Sequence, residues 1–112
     1  MAISNQAIGT SNTTLFTSGS SNGDAITTVI VCNTVAFDPA NPLTGLSYLY
    51  LYAVPSGVSP VTSTQLIVNK LPVPAGETVS FDQEKMVLAY GDKLVARSDT
   101  TNLTATVSNL PV

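Results

Sequence analysis

The sequence predicts an all-β protein: a single antiparallel β-sandwich of jelly-roll or immunoglobulin-like kind, with about eight strands. Runs of β-branched and aromatic residues recur along the chain and are bounded by Gly, Pro, Asn, Asp and Ser. No window repeats apolar residues at helical spacing over three turns, so no helix is available to connect parallel strands. With 112 residues, one domain is expected, and two packed sheets can bury its core.

The first predicted strands flank a hairpin signal. The run TTLFT (13–17) is followed by the turn SGSSNGD, in which both Asn22 and Gly23 tolerate a positive φ. The next run, AITTVIVCN (25–33), is the most β-prone in the chain. Alternation places Ile26, Thr28, Ile30 and Cys32 on one face and Thr27, Val29 and Val31 on the other. Because both faces are rather apolar, this strand is expected to be covered on both sides.

A proline-containing loop separates this strand from a tyrosine-rich one. Pro39 and Pro42 cannot donate a ladder hydrogen bond, so the loop is not central sheet. The strand LSYLYLYAV (46–54) then places two sets of side chains on opposite faces. One set is Leu49, Leu51 and Ala53, and the other is Leu46, Tyr48, Tyr50 and Tyr52.

Five further strands are predicted, at residues 65–70, 78–81, 86–89, 93–98 and 103–107. The turns between them contain LPVPAGE, the charged segment DQEK, the pair Gly91-Asp92 and DTTN. In the last strand Leu103, Ala105 and Val107 are expected inward and Thr104 and Thr106 outward. Residues 1–12 lack periodicity and are expected to form an N-terminal arm, disordered or docked on a neighbour. Residues 13–112 form the β-sandwich domain.

Composition excludes several functional classes. Four Lys and Arg stand against seven Asp and Glu, a net charge of −3, so the chain lacks the basic surface of a nucleic-acid binder. Charged residues are only 10% and hydrophobic residues 44%, the reverse of a disordered chain. Since 27 residues are Ser or Thr, much of the surface must be hydroxyls, amides and apolar groups. Such a surface indicates a protein that is covered by neighbours in its working state.

The residues that perform most protein chemistry are scarce. The chain has no His and one Cys, so neither an internal disulfide nor a zinc site is expected, and Cys32 is interpreted as a small buried hydrophobe. The carboxylate pairs Asp82 with Glu84 and Asp92 with Asp99 fall in turns, where solvated or turn-forming carboxylates are the simpler interpretation. We therefore predict no enzymatic activity, no cofactor and no metal.

Tyr48, Tyr50 and Tyr52 recur at period two and so form a row on one sheet face. Three interpretations stay open: cover for a sandwich core or half-exposed sheet, a subunit interface, or a platform on which sugars stack. No stretch approaches the roughly 18 apolar residues of a membrane span, and the N-terminus lacks the features of a secretion signal. The protein is expected to stay in a cytoplasm unless lysis or a particle carries it out.

Five segments follow one another along the chain: TTLFTSGSSNGDAITTVIVCNT, SYLYLYAVPSG, LPVPAGETVSF, LAYGDKLVARS and LTATVSNLPV. Together they resemble small accessory virion proteins of tailed bacteriophages. These cues cover most of the chain after residue 12. The resemblance implies a one-domain β-sandwich and a virion location after synthesis in the host cytoplasm. It carries no catalytic residues.

The resulting hypothesis is a non-enzymatic virion protein that self-associates, as a trimer, and binds the major capsid protein as a decoration or cement protein. The alternatives are a tail- or fibre-associated component and a module that binds host carbohydrate through the tyrosines. No nucleic acid or membrane partner is expected. The predicted interface residues are Tyr48, Tyr50, Tyr52 and, in the arm, Ile3 and Ile8.

Overall fold

The computed structural model describes residues 2–82 and 86–112. This part of the chain contains nine β-strands and one short 3-10 turn at Ser63–Gln65. The strands are β1 (Ala2–Ala7), β2 (Thr13–Thr17), β3 (Asp24–Asn33), β4 (Ser47–Val54), β5 (Leu66–Val73), β6 (Thr78–Phe81), β7 (Met86–Leu88), β8 (Lys93–Ser98) and β9 (Leu103–Pro111).

The strands form two antiparallel sheets that pack face to face, which confirms the predicted β-sandwich. Sheet A has the order β1-β9-β3-β6, with β7 also pairing with β3. Sheet B has the order β2-β8-β4-β5. This interleaving of early and late strands, 1-9-3-6 opposite 2-8-4-5, is the arrangement of a jelly roll, the first of the two predicted sandwich types.

The core lies between the sheets and follows from strand alternation. Fully burying one Leu or Val side chain stabilises a fold by about 1.5–3 kcal/mol, so this layer holds the two sheets together. Its buried members are Ile8, Leu15, Ile26, Val29, Val31, Leu49, Leu51, Val73, Leu88, Leu94, Ala96, Leu103, Ala105 and Val107. The inward positions predicted for Leu103, Ala105 and Val107 are thus confirmed, and Leu49 and Leu51, which were predicted to share one face, both lie in the core.

The N-terminal segment differs from the expected arm. Residues Ala2–Ala7 form an edge strand that pairs antiparallel with β9, from Ala2 opposite Asn109 to Ala7 opposite Thr104. Its sequence, AISNQA, shows no alternation because the strand buries little: five of its six side chains are exposed. Backbone pairing therefore positions this strand. Ile8, directly after it, is 1% exposed and belongs to the core.

A bulge changes the predicted faces of β3. The register with β9 shifts between Ile26 and Thr28, which places Ile26 in the core together with Val29 and Val31. Ile30 faces outward and is exposed, so the expectation that both sides are covered is wrong for a single chain. Cys32 also faces outward and is half-buried, not a core residue.

Strand ends account for the remaining differences. Strand β5 continues past the predicted end at Lys70 to Val73, and β9 continues past Val107 to Pro111. Pro72 is tolerated because β5 is an edge strand. Glu84 and Lys85 of the DQEK segment lie outside the described residues. Within the described ranges, no helix is both long and apolar enough to cross a membrane.

Candidate functional site

Charge is divided unequally between the two sheets. The strands of sheet A contain one charged residue, Asp24, and it is buried. The strands of sheet B contain Lys70, Lys93 and Arg97 and no acid. The acids of the described segments, Asp24 apart, lie in turns and loops. The outer faces of the two sheets are therefore candidate surfaces of different chemistry.

The outer face of sheet A is made of side chains without charge, and we call it the uncharged face. The strand registers align it in rows across the sheet. Its strand residues are Ile3, Asn5 and Ala7 of β1, Thr104, Thr106, Ser108 and Leu110 of β9, Ala25, Thr28, Ile30 and Cys32 of β3, Thr78 and Ser80 of β6, and Val87 of β7. Glu77 and Asp82 are the charged residues directly beyond the two ends of β6.

The uncharged face combines exposed apolar side chains with hydroxyls that already have partners. Ile3 is 69% exposed, Ile30 38%, Val87 71% and Leu110 46%. The Thr106 hydroxyl donates to Asn5 Oδ1 at 2.8 Å, and the Thr27 hydroxyl at the bulge lies 2.9 Å from Ser108 Oγ. Because the Thr106 and Ser108 hydroxyls already have partners within the sheet, covering them with a neighbour leaves fewer unsatisfied polar groups. This lowers the free-energy cost of removing water from the middle of the face.

The three tyrosines do lie together on the outer face of sheet B, as their spacing predicts. Tyr52 is buried under the 55–65 segment, where it packs with Val95 of β8 and with Val58, Val61 and Leu66. Tyr48 and Tyr50 are half-buried. Tyr52 therefore belongs to a second small core, whereas the other two tyrosines lie at the surface.

Cations of the same sheet cover the two surface rings. Arg97 is opposite Tyr50 in the β4–β8 register, and its guanidinium carbon lies 3.9 Å from the ring centroid. Lys70 Nζ lies 5.1 Å from the Tyr48 centroid. A hydrogen bond with the Tyr52 hydroxyl raises the pKa of Arg97, which stays charged. The surface tyrosines are thus covered by cations, which leaves less of each ring free for a sugar to stack on. The same positive charges would repel each other if this face packed against the same face of a second copy.

The candidate catalytic carboxylates are not brought together. Asp92 precedes β8 and Asp99 follows it, so they lie at opposite ends of a strand, roughly 20 Å apart at about 3.3 Å per residue. Asp92 accepts hydrogen bonds from the Ser56 and Ala89 amides (2.8 and 2.9 Å), and Asp99 from the Tyr48 amide (2.7 Å). Both carboxylates therefore stabilise turns. Glu84, the suggested partner of Asp82, lies outside the described residues.

The described part of the chain contains no metal-binding cluster, and the cavity between its sheets has an apolar lining. No group of three or more Cys, Asp and Glu side chains there is placed to hold a metal ion. A cavity of about 470 Å³ opens between the sheets beside β5, β6 and β7. The described residues that line it are the apolar Ile26, Val29, Leu51, Ile67, Val68, Phe81 and Met86, and none of these side chains offers a polar group to orient a ligand.

The sequence analysis missed a buried carboxylate, Asp24, which it assigned to the first turn. Asp24 Oδ2 accepts a 2.7 Å hydrogen bond from Ser18, and Oδ1 accepts from Asn109 at 3.1 Å and Ser20 at 3.3 Å. The Ser18 bond lowers the pKa of Asp24, and the Asn109 and Ser20 bonds add to this against the opposing effect of burial. This network joins the first turn to β9 and is structural.

Stability is expected to fall in acid because of Asp24. The pKa of Asp24 is lower in the folded than in the unfolded chain, so its contribution to stability is complete above the ordinary pKa of an aspartate and is lost as pH falls through the lowered pKa of the folded chain. In Asp24→Asn, this pH-dependent contribution to the free energy of unfolding should disappear. Urea unfolding of both proteins between about pH 7 and pH 2 should give curves that converge in acid. Parallel curves would show that Asp24 does not titrate with folding.

Comparison with known proteins gives no match for this chain. No protein-family model matches the sequence. No curated protein and no solved structure matches it.

Proposed function

We propose that this protein is a non-enzymatic structural protein of a tailed-phage virion, which self-associates and binds the capsid surface as a decoration or cement protein. The observation that carries the proposal is the uncharged face, with its four exposed apolar side chains. The face is wide, continuous across the strands of sheet A and free of charged strand residues. It suits contact with another flat protein surface.

The size of the face indicates weak binding by one copy. Strand spacing of about 4.8 Å and a rise of about 3.3 Å per residue give the face a plane of about 500–600 Å². This is less than the roughly 800 Å² that each partner of a standard interface buries. Many copies on one particle would reinforce one another through multivalency. A small contact area in each copy, repeated over many copies, supports a role in stabilising a particle.

The sequence resemblance favours a particle component, and the fold is compatible with one. Jelly-roll domains occur in viral capsids and also in lectins, so the fold alone is an analogy that allows either. The tyrosine face argues against the lectin alternative, because Arg97 and Lys70 cover the surface rings on which a sugar would stack. A glycan array with the wild type and Tyr50→Ala tests that alternative directly. Imaging of the purified particle distinguishes a location on the tail or fibre from one on the capsid.

A charge placed on the uncharged face should weaken particle binding. Ile30 lies at the middle of the face, between Thr106 and Ser80. Ile30→Glu would bury an unpaired carboxylate at the contact, so we expect at least about a tenfold loss of affinity. Binding is measured by co-sedimentation with particles of the encoding phage from which this protein has been removed.

The matched control is Leu43→Glu, which removes a more exposed apolar side chain from the 34–46 loop. This variant should bind like the wild type. Equal losses in both variants, or none in Ile30→Glu, would contradict docking through this face. Thermal melts establish that both variants are folded.

A further inference from the structure

Strand β1 leaves one complete edge of sheet A without a partner strand among the described residues. The Ile8 amide donates to the Leu103 carbonyl at 2.9 Å, in the same register that pairs β1 with β9. Because hydrogen-bonded pairs alternate in antiparallel ladders, Ala2, Ser4 and Gln6 direct their backbone groups toward β9. The amides and carbonyls of Ile3, Asn5 and Ala7 therefore point away from the sheet.

The other sheet edges in the described structure carry features that discourage pairing. Strand β2 has five residues and a register shift between Thr14 and Phe16. Strand β5 contains Lys70, which has a positive φ, and Pro72, and its register with β4 shifts twice. Strands β6 and β7 have only four and three residues. Short strands, bulges, lysine and proline are the usual protections of an edge.

Strand β1 has none of these protections. It has six residues, no charge, no proline and an unbroken register with β9. It also buries little of itself, so few side-chain contacts offset the entropy of ordering its backbone. A partner strand would supply that missing stabilisation.

We propose that β1 pairs antiparallel with β1 of a second copy of this chain, around a twofold axis at Asn5. This register sets Asn5 opposite the partner's Asn5 and Ile3 opposite the partner's Ala7, a large side chain against a small one. The sequence AISNQA carries no charge, so pairing adds no like-charge contact to a chain of net charge −3.

The pairing makes one continuous sheet from the two copies of sheet A and doubles the uncharged face. The inference rests on the proposed function and sharpens it, since the doubled face exceeds the area of one partner in a standard interface. Twofold pairing predicts a dimer as the basic unit, in place of the trimer expected from the sequence.

Charge substitutions at Asn5 test this register. Asn5→Lys and Asn5→Asp each set like charges opposite each other, so each variant should dissociate about fivefold more readily than the wild type. An equimolar mixture of the two should dimerise again. Asn5→Ala is the control: it also loses the Thr106 hydrogen bond but adds no charge, and it should stay dimeric. Masses from sedimentation equilibrium are compared with the 11.6 kDa monomer.

A second variant, Asn5→Pro, removes the outward amide and leaves the β9 ladder intact, so it should also be monomeric. A monomeric wild type, dimeric charge variants, or a mixture that does not recover would each overturn the proposed pairing. Failure here is distinguishable from failure of the proposed function. A monomer that still sediments with particles contradicts only the pairing, whereas a β1-paired dimer absent from particles contradicts only the virion role.

Discussion

Asn33→Ala is expected to lower the free energy of unfolding by about 3–4 kcal/mol, because three hydrogen bonds of about 1 kcal/mol each are lost and buried partners are left unsatisfied. Asn33 lies at the end of β3 and is 2% exposed. Its amide donates to the carbonyls of Gly45 (2.8 Å) and Val73 (2.9 Å), and its Oδ1 accepts from the Val35 amide (3.0 Å). One side chain thus ties sheet A to the loop before β4 and to the end of β5.

Chemical denaturation with the same probe on both proteins measures this loss. Asn41→Ala serves as the control, since Asn41 makes an exposed bond to Asp38 at 3.3 Å in the same loop region. Its cost should be within about 0.5 kcal/mol. Similar losses in the two variants would contradict the central role given to Asn33.

Gly23→Ala is expected to destabilise the fold by about 3 kcal/mol through strain and overlap together. Gly23 has a φ of 92°, a conformation that costs a residue with a Cβ about 1–2 kcal/mol. An added Cβ would also overlap the backbone carbonyl of Leu88 at the end of β7. Backbone on both sides leaves little freedom to relax, so the overlap adds a further cost.

Gly57→Ala separates these two causes. Gly57 has a similar φ of 82°, but no atom lies within 4 Å of an added Cβ. It should therefore cost only the conformational part, about 1–2 kcal/mol. The two thermal melts provide the comparison. Equal decreases in melting temperature would mean that the close approach of Gly23 to Leu88 does not contribute to the destabilisation.

Local patterns predicted most of the sandwich. The bounds of β2, β6 and β8 match the predicted strands, because alternation and turn residues lie within a few positions of one another. The period-two spacing along β4 also placed the three tyrosines correctly on one face, but it did not tell whether that face covers the core. The run AISNQA gave no signal, because its pairing with β9 uses backbone groups and buries almost no side chain. The bulge in β3 was likewise not predictable from the alternation of residues along that strand.

The parts of the candidate surfaces that sequence reasoning missed depend on distant partners. Arg97 reaches Tyr50 only through the β4–β8 register, and Asn109 reaches Asp24 across 85 positions of the chain. Composition showed that the chain has few charged residues, but it could not show that the outer face of sheet A has none among its strand residues. Assigning it needed the strand order, which places β1, β9, β3, β6 and β7 together.

The orientation of this protein on a purified particle tests the central claim most directly. An electron cryo-microscopy map of the phage that encodes it should show the sandwich on the capsid, with the uncharged face against the shell. Density for Ile30 and Leu110 should lie at that contact, and the Tyr48 side of sheet B should face solvent. Particles that lack the protein, or a bound copy whose uncharged face points to solvent, would contradict the account.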